Sequence, residues 1–477
     1  ITQAEAEEFY ARQKAEGDQQ HPIMYGMNSR LERAADGSLH ENVWRADGMY
    51  GAAIRQIVQM LSQAIPYAEN ERQQSVIRKL IEFYETGNLA VFDAYTILWV
   101  EETEGEVDFT NGFTEVYGDP LGLKASWEGY VNYTDHQATR RAQALSRNAQ
   151  WFEDHSPVDA RFKKPLCRGV SAKVINAAIL GGDLYPSSAI GINLPNSNWV
   201  RAEHGSKSVT IANLTHAYDE AARGNGFRNE FADSTQTVSL MDRYGSVCDD
   251  LHTDLHECLG HGSGRLLPGV DPDALKAYGS TIEEARADLF GLYYLVDEKL
   301  VELGLTPCQE AYKAQYYSYM MNGLLTQMVR IQPGHQIEEA HMRNRALIAR
   351  WTLEHYPQAV RLSEQDGKHY VEILDYPLLR TAFGNLLAEI QRIKSEGDLQ
   401  AARQMVERYG VQIDAKLHLE VLERYSKLNL APYKGFINPR YTPVCDSEGR
   451  ITDVHIDYLE TYDEQMLRYS KQYNTLI

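Results

Sequence analysis

The chain has 477 residues, a formal net charge of -20 and 43% hydrophobic residues, which makes it too long for one ordinary core and too acidic to offer the clustered Lys and Arg that a phosphate backbone demands. Nucleic acid is therefore excluded as a partner, and no apolar run reaches the roughly 18–20 residues that span a bilayer, so no membrane is expected. Five scattered cysteines, Cys167, Cys248, Cys258, Cys308 and Cys445, lack paired spacing and point to a reducing, cytoplasmic compartment.

The chain begins at Ile1 with no initiator Met, and its first residues lack the basic and apolar regions of a signal peptide. Thr2 with Glu5 spells a capping box, and apolar positions then recur at helical spacing through about 46–64, 70–86 and 89–103. These segments read as scaffold. The texture changes at VDFTNGFTEVYGDPLGL (107–123), where Gly, Asp-Pro and aromatic residues break the helical period and predict short strands joined by turns. A second such region runs from Gly181 to about Leu214, and both could present side chains to a ligand. Helical periodicity dominates again from Tyr218 to about Lys427, with breaks at Pro268, Pro307, Pro333 and Pro357. The tail carries one alternating segment, RITDVHIDY (450–458), and a final helix containing LETYDEQMLRYSKQY.

Within the long helical region, SVCDDLHTDLHECLGHGSG (246–264) resembles H-E-x-x-H with one residue inserted. In the uninterrupted motif two His one turn apart reach one zinc from one helix face, with the intervening Glu beside the attacking water. The inserted residue rotates the second His off that face, so His256 and His261 converge only if the helix widens locally into a π-turn. Gly260 is where that distortion is easiest to tolerate. The third ligand should be a carboxylate on a later helix, and TIEEARADLFGLYY (281–294) supplies Glu284, with Asp288 one turn on to hold a ligand His. Two His, one carboxylate and an open position form the ligand set of hydrolytic rather than structural zinc. His252 is expected behind the ligands or on the surface, and Cys258 as a packed thiol.

HECLGH (256–261) followed by EEARAD (283–288) resembles the paired H-E-x-x-G-H and E-E-x-R-A-E/D motifs of the dipeptidyl peptidase III family. The resemblance covers essentially the whole chain and extends to further segments. GFTEVYGDPLG (112–122) is similar to the stretch carrying a substrate-binding Glu and a catalytic Tyr, here Glu115 and Tyr117. GINLPN (191–196) is similar to the strand whose Asn residues anchor the peptide's amino end, here Asn193 and Asn196. EEAHMRNR (338–345) resembles the helix with a catalytic His, here His341, with Arg345 one turn later; INPR, ending at Arg440, and Asp273 are looser matches to substrate-binding positions.

The resemblance implies an α+β fold of two lobes, a mostly α-helical zinc-binding lobe and a mixed lobe with a β core, separated by a wide cleft. The expected division is 1–135 in the mixed lobe, 136–176 helical, 177–222 mixed with GINLPN, 223–440 helical and zinc-binding, and 441–477 mixed. Family members have a long amino-terminal part before the region matched here, so a chain lacking that part is expected, and the short connection from HECLGH to EEARAD implies a compact bacterial form. The implied activity is a zinc-dependent exopeptidase, with one Zn2+ per chain, that releases dipeptides from the amino terminus of oligopeptides. Glu257 is its general base and then acid, Tyr117 and His341 are donors to the oxyanion, and Glu115, Asn193 and Asn196 measure from the free amine. A monomer is expected. The alternatives are an endopeptidase or a single-residue aminopeptidase with the same metal set, and a non-catalytic peptide-binding protein or inactive truncated form. Without the family, Tyr117 would read as one of 30 tyrosines packed in a core, His341 as a helix-surface histidine, and the Asn pair as turn formers.

Overall fold

A computed structural model describes all residues except 117, 168–172, 187, 189, 190, 272, 273, 431–435 and 475–477, and leaves out the side chains of Asn193, Asn198 and Ser208. The positions of Tyr117 and Asp273 thus lie outside the described residues.

The capping box opens α1 (Gln3–Glu16): the Thr2 hydroxyl accepts from the Glu5 amide, and the Glu5 carboxylate accepts from the Thr2 amide at 2.8 Å. A hairpin, β1 (Ser29–Arg33) and β2 (Leu39–Val43), follows. Next come α2 (Gly51–Ala64), α3 (Glu71–Thr86) and α4 (Leu89–Glu101). α3 starts where Asn70 accepts from the Gln73 amide and stops at Gly87, whose φ of 69° is a left-handed conformation that glycine adopts without strain. The long strands β3 (Val107–Glu115) and β4 (Ser126–Thr134) pair antiparallel, with a register shift between Phe113 and Glu115.

After α5 (His136–Arg147) and α6 (Ala149–His155), the chain forms β5 (Lys173–Gly182), β6 (Gly191–Leu194), α7 (Asn198–His204) and β7 (Lys207–Ile211). The helical stretch then runs through α8 (Ala212–Ala222), α9 (Phe227–Phe231), α10 (Thr235–Leu255), α11 (Gly279–Tyr294), α12 (Glu298–Glu302), α13 (Tyr312–Leu324) and α14 (Ala340–His355). A hairpin of β8 (Val360–Gln365) and β9 (Lys368–Ile373) interrupts it before α15 (Tyr376–Glu396), α16 (Leu399–Met405) and α17 (Ala415–Lys427). The tail adds the hairpin β10 (Arg440–Cys445) and β11 (Ile451–Asp457), and α18 (Tyr462–Tyr473).

These elements form two compact units, so the fold class is α+β. One comprises Ile1–Asp135, Lys173–Thr215 and Gly435–Ile477. Its five-stranded sheet has the order β3-β4-β5-β7-β6, with only β5 and β7 parallel. Apolar faces of α2, α3 and α4 supply Ile54, Leu80, Phe83, Tyr84, Tyr95 and Trp99 to a core that takes Phe113 and Leu194 from the sheet. Polar bonds lock that packing: the Tyr84 hydroxyl donates to Asn111 of β3, and the Trp127 indole of β4 donates to the Tyr84 oxygen at 2.8 Å.

The other unit comprises His136–Ala172 and His216–Lys434. Its core consists of near-continuous buried faces on α11, α13, α14 and α15, including Phe290, Tyr294, Tyr316, Met320, Leu347, Phe383 and Leu386. Helices buried on several sides lack a narrow apolar stripe, because neighbours cover them all round. Among the described residues, no helix is long and apolar enough to cross a membrane.

Candidate metal centre and peptide-binding strands

Ser234 caps α10 by accepting from the Thr237 amide, and the helix then runs for 21 residues before its geometry changes. At the HECLGH segment the His261 amide donates to the His256 carbonyl at 3.1 Å, a five-residue reach in place of four. This is the π-turn that the inserted residue requires. It returns His261 to the face of His256, and the two imidazoles stand 4.7 Å apart between centroids and nearly perpendicular. Gly260 has a different reason from the one read in the sequence. A β-carbon there would meet the backbone of Ala287 at 2.9 Å, so the glycine permits α11 to cross the π-turn closely.

That close crossing delivers the motif of α11. One ligand atom from each of His256, His261 and Glu284 lies within 4.8 Å of the other two. Asp288 Oδ1 binds His256 Nδ1 at 2.8 Å, and Glu283 Oε1 binds His261 Nδ1 at 2.7 Å. An ionised carboxylate only accepts, so each Nδ1 carries the donated hydrogen and each Nε2 remains to bind a cation.

The supporting carboxylates are themselves held. Asp288 Oδ2 accepts from Tyr319 Oη at 2.7 Å and Asn344 Nδ2 at 3.1 Å. Burial opposes the Asp288 charge, but the His256 hydrogen bond and the charges of His256, His252 and Arg345 keep it well below the usual carboxylate range. Glu283 is depressed likewise: against burial stand the Arg286 guanidinium, the His261 bond and Lys394. Arg286, 0% exposed, binds both oxygens of Glu283, at 2.7 and 3.0 Å, and reaches Ser263 Oγ at 2.6 Å, which fixes the turn just beyond His261. His252 is buried rather than on the surface. Its Nε2 donates to the Asp288 carbonyl at 3.1 Å and its Nδ1 accepts from Gln315.

This arrangement fits a zinc-type cation. Glu284 Oε2 is buried without a hydrogen-bond partner, 3.3 Å from His256 Nε2 and 3.5 Å from His341 Nε2. Burial disfavours the His256 imidazolium, yet Asp288, Glu284 and Glu257 outweigh it and push its pKa up to about 10. The field at this point favours positive charge. Spacing, orientation and donor type match two imidazole ligands and one carboxylate.

Other predicted positions distribute as follows. Glu257 lies half-buried on the π-turn between His256 and His261. His341, at the start of α14, is exposed, with Nδ1 bonded to Glu339 at 2.6 Å and Nε2 turned to Glu284. Arg345 follows one turn on, half-buried. These three share a unit with His256, His261 and Glu284.

Glu115, Asn193, Asn196 and Arg440 belong to the other unit. Glu115 ends β3 at the register shift, where a bulge re-aims side chains. Asn193 pairs with Ser208 in the β6–β7 ladder. Asn196 follows β6 and its Nδ2 donates to the Thr114 carbonyl at 3.2 Å, tying the GINLPN segment to the bulge beside Glu115. Arg440 stands apart from these, exposed on the separate β10–β11 hairpin opposite Asp457.

Sequence reasoning missed Glu283 and Arg286. The signal was present in EEARAD, where an E-x-x-R spacing puts an acid and a base on one helix face.

Two His and one carboxylate held this close form a candidate metal centre with the donor set typical of hydrolytic rather than structural sites. The chain belongs to Peptidase family M49, whose family model matches residues 26–276 and 272–427. Among curated proteins it is similar to Dipeptidyl peptidase 3 of Dictyostelium discoideum, 27% identical over 311 residues, covering 57% of this chain and 43% of that protein. It is also similar to Dipeptidyl peptidase 3 of Homo sapiens, 24% identical over 465 residues, covering 88% of this chain and 60% of that protein. The chain therefore spans about half the length of the curated relatives it matches. Among solved structures, DPP III from Caldithrix abyssi shares the fold with a TM-score of 0.74 at 20% identity, over 90% of this chain and 78% of that one.

Proposed function

We propose that this chain is a zinc-dependent exopeptidase that removes dipeptides from the amino terminus of oligopeptides. The observation that carries the reading is the convergence of His256, His261 and Glu284, with both imidazoles held through Nδ1 by carboxylates of the same helix. Membership of a peptidase family and similarity to proteins named Dipeptidyl peptidase 3 support the substrate class.

When bound, a zinc ion supplies Lewis acidity that polarises the scissile carbonyl and brings the pKa of a water near 7. Glu257 takes the proton of the attacking water on Oε and returns it to the departing amide nitrogen, acting as base and then acid. His341 and Tyr117 donate hydrogen bonds to the carbonyl oxygen as negative charge gathers on it. Glu115 pairs with the substrate ammonium, and Asn193 and Asn196 hold the first peptide units, so the cut falls after the second residue. Arg345, Arg440 and Asp273 add substrate contacts, with one zinc per chain in a cytoplasmic monomer.

The test is product analysis. Incubated with zinc and an unblocked oligopeptide, the chain should liberate dipeptides in sequence from the amino end, and acetylating that end should stop the release. Single amino acids, internal fragments, or equal cleavage of the acetylated peptide would refute the assignment. Binding of both peptides without any product would instead support the non-catalytic reading.

A further inference from the structure

The helix that carries His341 is anchored on both sides of that residue. Three positions on, Asn344 Nδ2 donates to Asp288 of α11 at 3.1 Å. Before it, Ile337 is fully buried against Met342 and Ala346, and its amide donates to the Val411 carbonyl at 3.1 Å. The backbone of His341 is therefore fixed, but packing does not fix its ring, because the side chain is 55% exposed. An exposed side chain hops between rotamers freely unless a bond holds it.

Glu339 supplies that bond. Its Oε1 accepts from His341 Nδ1 at 2.6 Å and from the His341 amide at 2.9 Å, while Oε2 accepts from the Met342 amide at 2.9 Å. One carboxylate thus caps α14 and grips the ring. Capping alone does not call for glutamate, since Asp, Asn, Ser and Thr are favoured at that position. Among the described residues, every other side chain that caps an α-helix is one of those four. The longer arm of Glu339 reaches the imidazole as well as the helix end.

Burial opposes the Glu339 charge, but the bonds from the His341 amide and ring outweigh it and lower its pKa. An ionised carboxylate only accepts, so Nδ1 carries the hydrogen of the ring bond. That leaves Nε2 directed at Glu284 Oε2, 3.5 Å away. A ring that also donates from Nε2 carries a hydrogen on each nitrogen.

We propose that Glu339 is a positioning residue, whose carboxylate sets the rotamer of His341 and commits Nδ1, so that Nε2 is aimed at the carbonyl oxygen of the scissile bond. The inference deepens the peptidase reading and rests on it. Glu339 acts through His341 and does not itself touch the peptide. Its effect falls on kcat rather than KM, because a misplaced ring is felt as negative charge gathers on the carbonyl oxygen and not as the peptide binds.

Glu339→Ser separates the two jobs, since serine caps a helix but is too short to grip the ring. In the zinc-loaded chain it should move the unfolding midpoint by less than about 2 °C. It should lower kcat for dipeptide release about 10–100-fold, with KM within about twofold. Glu339→Gln, whose amide oxygen still accepts from Nδ1, should restore kcat to within about threefold of the wild type. In a His341→Ala background, Glu339→Ser should cost no more than about a further twofold. An equal fall in kcat with and without His341, a loss carried by KM, or a Gln variant no better than Ser would each overturn the proposal. Nitrogen-15 spectra of histidine-labelled, zinc-loaded chain, with His341 assigned by its loss in His341→Ala, read the ring without activity. The wild type should show a hydrogen on Nδ1 protected from exchange, and Glu339→Ser should lose it. A wild type that releases no dipeptide would sink the peptidase reading alone, whereas identical ring spectra in the two proteins would overturn the role of Glu339 whether or not peptide is cut.

Discussion

The surroundings of the π-turn and the bulged end of β3 deal with buried polar groups in opposite ways. Around His256 and His261 each supporting group has a partner of its own: Asp288 is bonded by Tyr319 and Asn344, Glu283 by Arg286 and Lys394, and Arg286 by Ser263. Among the described residues, buried atoms left without a partner beside them include Asn344 Oδ1 and Glu284 Oε2, the latter the atom that would bind the cation. Near β3, by contrast, Thr114, Ser197, Asp93 and Glu128 are buried with their polar atoms unpaired or their charge disfavoured. The difference separates two kinds of preparation. Where ligand geometry must be fixed to a fraction of an ångström, a shell of hydrogen bonds fixes it; near β3 no such shell forms, and burial itself sets the cost of the charge.

The contrast can be broken most decisively at Glu257. Glu257→Gln should leave the supporting hydrogen bonds and the zinc content intact while lowering kcat about 10²–10⁴-fold. Steady-state hydrolysis of a dipeptidyl substrate, with zinc measured on the same sample, reads both.

The next effect tests the unpaired side of the comparison. Glu128 on β4 is 3% exposed, and burial, reinforced by Glu115 and Asp183, pushes its pKa up to about 7 from an ordinary value of 4.5. The unfolded chain loses this proton first as pH rises. The native state therefore holds more protons between about pH 4.5 and 7, and stability from this group falls across that window, by up to about 3 kcal/mol. Glu128→Gln should flatten that part of the curve, raising stability at pH 8 relative to pH 5 when both proteins are unfolded in urea. An unchanged difference between the two pH values would place Glu128 in a better-solvated setting.

Loss of a supporting carboxylate sharpens the other side. Asp288→Asn or Glu283→Gln should weaken zinc binding about 10–100-fold in competition with a chelator, with smaller effects once the metal is saturating. Last, Gly260→Ala forces a methyl against the Ala287 backbone and should cost about 1–2 kcal/mol, seen as a lower unfolding midpoint.

Local signals in the sequence carried a good part of the fold. The Thr2–Glu5 box opens α1, helical spacing marks α2, α3 and α4, and the inserted residue in HECLGH demands the π-turn. Each of these is settled by neighbours a few positions apart. The hairpins β1–β2 and β8–β9 were not legible, because SRLER and VRLSEQ lack a clean apolar alternation, and half-exposed short pairs need none. The role of Gly260 was misread for a related reason: its constraint comes from Ala287 on another helix, which no local pattern reveals. Glu283 shows the same limit. Its partnership with His261 spans 22 positions and depends on the crossing of two helices.

Zinc K-edge X-ray absorption on the zinc-loaded chain examines the metal centre at its root. The account predicts a first shell of two imidazole nitrogens and carboxylate or water oxygens at about 2.0–2.2 Å, with the carboxylate component lost in Glu284→Ala. A sulfur scatterer at about 2.3 Å, as Cys258 would give, or a spectrum indifferent to Glu284→Ala, would contradict it.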